Sequence, residues 1–118
     1  MKYLLLIYYD EKALERLGKA EEKRIEDQSV AYTAQLQAEG KVLGEHRLRP
    51  VSTATCVRTQ GGQKLVIDGP FAETKEQLGG YTLIDVKDLA EAIEIAKNLE
   101  SGTLGAVEIR PIQEFGQY

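Results

Sequence analysis

From Tyr3 to Tyr9 the chain is apolar or aromatic without interruption, and Asp10 breaks the run. An unbroken stretch of this kind predicts a central strand covered on both faces over Lys2–Tyr9. Over residues 19–39 the period changes. Ile25, Tyr32 and Leu36 recur at a helical interval among Glu22, Lys23, Glu26, Asp27 and Gln35, which predicts an amphipathic helix, and Gly40 supplies its C-terminal stop. Three short β-prone runs follow at 42–48, 53–59 and 64–68, separated by Pro50 and by Gln60-Gly61-Gly62-Gln63; the second and third form a hairpin. Residues 81–86 read as another strand. Asp88 caps a helix with Leu89, Ala92, Ile93, Ala96 and Leu99 on one face, Gly102 closes it, and 106–112 form the last strand.

Strand, helix, strand, hairpin insert, strand, helix, strand is the order of a ferredoxin-like α+β fold, a split β-α-β arrangement, occupying residues 1–118 as one domain. Both helices then pack on one sheet face. The other face needs a cover, and a homodimer closed sheet-to-sheet supplies it most simply.

At 118 residues and 42% hydrophobic, the chain can bury a core without staples. Cys56 is its single cysteine, which excludes an intrachain disulfide and points to a reducing, cytoplasmic setting. A net charge of -4, with Lys and Arg scattered, argues against direct nucleic-acid binding. The apolar run at 4–9 is too short for a membrane span or a signal peptide.

The chemistry-bearing stretch is 68–81, where Gly, Pro, an aromatic and four charges lie between two strands. Gly69-Pro70 turns the chain sharply out of one strand. Gly79-Gly80 allows close backbone approach to another segment or a ligand on re-entry. Asp68 either caps this turn or faces a cleft as an acid or base, with His46, Arg47, Arg49 and Lys75 as candidate partners. His46, the sole histidine, is either a proton shuttle or a structural hydrogen-bonding residue. Alternation puts it on the strand face opposite Glu45, Arg47 and Arg49. Cys56 reads as a small core hydrophobe. One histidine and the absence of clustered ligands predict no metal, and Gly61-Gly62 lacks the frame of a phosphate loop, so no cofactor is expected.

The segment Asp68-Gly69-Pro70-Phe71, continued through Ala72 to Gly80, resembles the signature of the YCII-related family in its DGPF-type branch. The resemblance extends from Lys2-Tyr3-Leu4 through Ser52-Thr53-Ala54-Thr55 to Val107-Glu108-Ile109-Arg110-Pro111. It implies a dimeric α+β barrel built from ferredoxin-like chains. In some such proteins it implies a His-Asp pair in a cleft, and one relative removes chloride from a chlorinated hydroxyquinol. The aspartate of that pair falls on Asp68, while the helix position of the histidine falls on Ser29. DGPF-type proteins are also encoded beside extracytoplasmic-function sigma factors.

Two readings follow. In the first, a cleft at the Asp68 loop binds a small aromatic or quinone-like molecule. Asp68 and His46 are then the acid-base candidates, and Arg49, Phe71, Lys75 and Tyr81 line the ligand. In the second, the protein is a non-enzymatic regulatory partner in a sigma-factor-linked pathway, and the loop is an interface.

Overall fold

The computed structural model describes residues 1–99, 101 and 103–116. Among these residues six strands and three α-helices follow in the order β1 (Lys2–Tyr9), α1 (Glu11–Arg16), α2 (Lys19–Ala38), β2 (Val42–Arg47), β3 (Thr55–Gln60), β4 (Gln63–Asp68), β5 (Gln77–Asp85), α3 (Leu89–Lys97) and β6 (Gly105–Pro111). A four-stranded antiparallel sheet has the order β2-β5-β1-β6, and β3 and β4 make a separate two-stranded sheet. This is the ferredoxin-like topology, with the hairpin β3–β4 inserted between the two halves.

The central strand is covered on one face rather than two. Tyr3, Leu5, Ile7 and Tyr9 are buried, whereas Leu4, Leu6 and Tyr8 are only half-buried. The buried set packs with Leu36 of α2, Ile84 of the adjacent β5, Val42 of β2, and Ala92, Ile95 and Leu99 in and beyond α3. An all-apolar run cannot distinguish one covered face from two, because it has no alternation to read.

Several local differences have plain causes. Asp10 ends β1 by opening the short helix α1, its carboxylate accepting from the N–H of Lys12 at 2.9 Å. The inward face of α3 carries Ala92 and Ile95, with Ile95 4% exposed and Ile93 38%. The sequence face drawn through Leu89 and Ile93 was therefore rotated, and Leu89 is half exposed. Asp88 does cap α3, accepting from Glu91 N at 2.9 Å. Gly102, read as the helix stop, lies outside the described residues.

Strand β5 begins at Gln77, four residues before the expected start, so Gly79 and Gly80 lie inside the sheet. Ile7 pairs with Gly80 and Tyr8 with Leu78, leaving Gly79 as the extra residue of a bulge. Gly61 and Gly62 both have positive φ, 58° and 79°, as the two-residue hairpin turn requires. Cys56 belongs to this hairpin and not to the core: it is half-buried, and its Sγ donates to Gly69 O at 3.2 Å.

Candidate functional site

The alternation of β2 decides what each of its side chains can reach. Glu45 pairs with Thr82 and Arg47 with Gly80, on the face that α2 covers; His46 pairs with Tyr81 on the face that no helix covers. Helix α2 meets β2 with a single stripe. Glu22, Ile25, Glu26, Ser29 and Thr33 recur at intervals of three and four, so they share one side of the helix. Thr33, 1% exposed, donates to Glu45 Oε1 at 2.6 Å and ties the strand to the helix.

One helical turn or more toward the N-terminus of α2, the two elements separate and a cleft of about 180 Å³ opens between helix and sheet. Ile7, Ile25, Val30, Leu99 and Leu104 form its apolar wall; Tyr9, Glu22, Glu26, Ser29, Glu45 and Arg47 supply the polar groups. Gly79 and Gly80 also line it, and their missing side chains admit the Tyr9 ring and the backbone of β2.

Arg47 is held at the mouth by two carboxylates. Its Nη2 donates to Glu22 Oε1 at 2.7 Å and its Nη1 to Glu26 Oε2 at 3.3 Å. The hydrogen bond to Glu22, aided by the Tyr9 phenol and opposed by partial burial, raises the guanidinium's already high pKa. Deeper in, Ser29 Oγ is buried with no hydrogen-bond partner among the described residues. A buried hydroxyl left unpaired costs free energy that a bound polar group would recover.

The sequence candidates divide into three places. His46 and Tyr81 border the cleft. Alternation turns their side chains to the uncovered sheet face, where His46 Nδ1 lies 3.0 Å from Tyr81 Oη with the rings tilted at 46°. Asp68, at the end of β4 opposite Thr55, is exposed and does not line the cleft. Phe71, Lys75 and Arg49 are likewise exposed and outside it, Phe71 at 78%. The structure brings His46 and Tyr81 together, and does not bring Asp68 into the cleft they border.

Taken singly, Glu22, Glu26 and Glu45 carry no site signal in the sequence, because charges on an amphipathic helix and on a strand look like ordinary solvated positions. A usable signal existed. The helical spacing of Glu22, Glu26 and Ser29, set beside the alternation of Glu45 and Arg47, places all five on facing surfaces.

The fold and site define a ferredoxin-like α+β domain with an apolar, acid-rimmed cleft beneath its long helix. The YCII-related domain model matches residues 1–116, and the chain belongs to that family. It is similar to an uncharacterized protein of Rhizobium meliloti (strain 1021), 38% identical over 114 residues, which cover 95% of this chain and 92% of the relative. No helix among the described residues is long and apolar enough to cross a membrane.

Proposed function

We propose that this domain binds a small, largely apolar molecule of about one ring in the cleft between α2 and the sheet. The observation that carries the reading is Ser29 Oγ, an unpaired buried hydroxyl in a recess walled by Ile7, Ile25, Val30, Leu99 and Leu104. An apolar cavity of roughly 150 Å³ accommodates benzene, so the size suits a substituted aromatic or quinone-like ring. The Asp68-Gly69-Pro70-Phe71 segment supports placement in the DGPF-type branch. Its position outside the cleft argues against Asp68 acting as acid or base on a ligand held there by a single chain.

The same proposal includes a homodimer in the form of a dimeric α+β barrel. Leu4, Leu6, Tyr8, Tyr81 and Leu83 occupy the sheet face without a helical cover, and the exposed Val57 and Val66 of the hairpin also need a partner surface. A second reading, favoured by the exposure of Phe71, makes the loop between β4 and β5 a contact for a regulatory protein, including one in a sigma-factor-linked pathway.

The test is titration of isotopically labelled protein with 2-phenylethanol, followed by amide NMR. Shifts concentrated at Ser29, Val30, Glu45 and Gly80 are expected. Shifts confined to the Asp68 loop, or none at millimolar ligand, would remove the cleft as a binding site.

A further inference from the structure

The charges around the cleft select among ligands of the right size. Among the described residues three carboxylates, Glu22, Glu26 and Glu45, line it against one cation, Arg47. That cation is already committed, since both of its terminal nitrogens donate to Glu22 and Glu26. An anionic ligand would have to displace one of these carboxylates and then sit beside the other two. Glu45 is different: one oxygen accepts from Thr33 at 2.6 Å, and that contact pins the side chain at the cleft edge while its carboxylate keeps its acceptor capacity. Ser29 Oγ, buried and unpaired in the recess between them, is a further acceptor.

A protonated amine matches this set in both respects, because an ammonium has three donors and no acceptor and carries the sign that the rim favours. We infer that the natural ligand class is a small primary amine with an aromatic or branched apolar body, its ammonium placed toward Glu45 and Ser29 and its body on Ile25, Val30 and Leu104. This deepens the cleft-binding proposal above and rests on it.

The experiment uses three probes of similar shape at neutral pH: 2-phenylethylamine, 2-phenylethanol and phenylacetate, titrated into the full chain by calorimetry and NMR. The amine should bind at least tenfold more tightly than phenylacetate, and rising salt should erode that preference. Glu45→Gln keeps the shape and the acceptor for Thr33; it should lower amine affinity several-fold and leave the alcohol unaffected. Glu26→Gln, on an exposed helix position, removes one rim charge without touching the Thr33–Glu45 contact; it should lower amine affinity less than Glu45→Gln does and leave the alcohol unaffected.

Alcohol binding with no preference for the amine would overturn the inference while leaving the cleft intact as a site. Equal weakening of all three probes by the glutamine variants would overturn it as well, because the carboxylates would then be structural. Failure of every probe to bind folded protein would remove the cleft reading itself.

Discussion

A methyl group on Gly79 would overlap the ring of Tyr9, and one on Gly80 would sit 2.9 Å from the carbonyl oxygen of His46. The sequence showed that Gly79-Gly80 permits close approach but not to what. The partner of Gly79 is the Tyr9 side chain of the adjacent strand, an aromatic ring that also reaches Arg47 at the cleft mouth. Gly79→Ala must push that ring aside or shift the bulge, and should cost about 1–3 kcal/mol in denaturant unfolding, the usual range for overpacking a core. Because Tyr9 supports Arg47, the same variant should also weaken probe binding. Unchanged stability would mean that the bulge is loose and Tyr9 free to move.

Element boundaries were legible where the chain carries a chemical marker. The Asp88 cap, the Gly40 stop and the glycine pair of the hairpin turn each answer a backbone requirement that few residue types meet, and the structure places all three there. Helix facing was less so, because six apolar residues in α3 admit more than one inward stripe within a single helical repeat. Burial now ranks them. Ile95→Ala should cost about 2–4 kcal/mol as a core truncation, while Ile93→Ala, at a position 38% exposed, should cost under about 1 kcal/mol. Equal losses would show that Ile93 is covered by something other than this chain. The cleft was the least legible element. It depends on where α2 and β2 diverge, a tertiary distance that neither period encodes.

At the scale of the whole molecule, the radius of gyration is 16.1 Å, against about 13.5 Å for a compact chain of this length. The separate hairpin sheet accounts for the excess in kind, because Val57 and Val66 are 67% and 72% exposed and a two-stranded sheet alone is marginal in water. The hairpin and the uncovered sheet face together motivate the proposed dimer, which light scattering at micromolar concentration should report as twice the chain mass. A well-folded monomer there would leave both surfaces in water and remove the barrel.

The cleft itself is tested most directly by plugging it. Val30 lines the cleft yet is 55% exposed, so Val30→Trp can place an indole across the opening with little strain on the fold. With circular dichroism and melting temperature unchanged, calorimetric binding of 2-phenylethanol and 2-phenylethylamine should fall below detection. Binding of either compound at the affinity of the unmodified protein would contradict a site beneath α2.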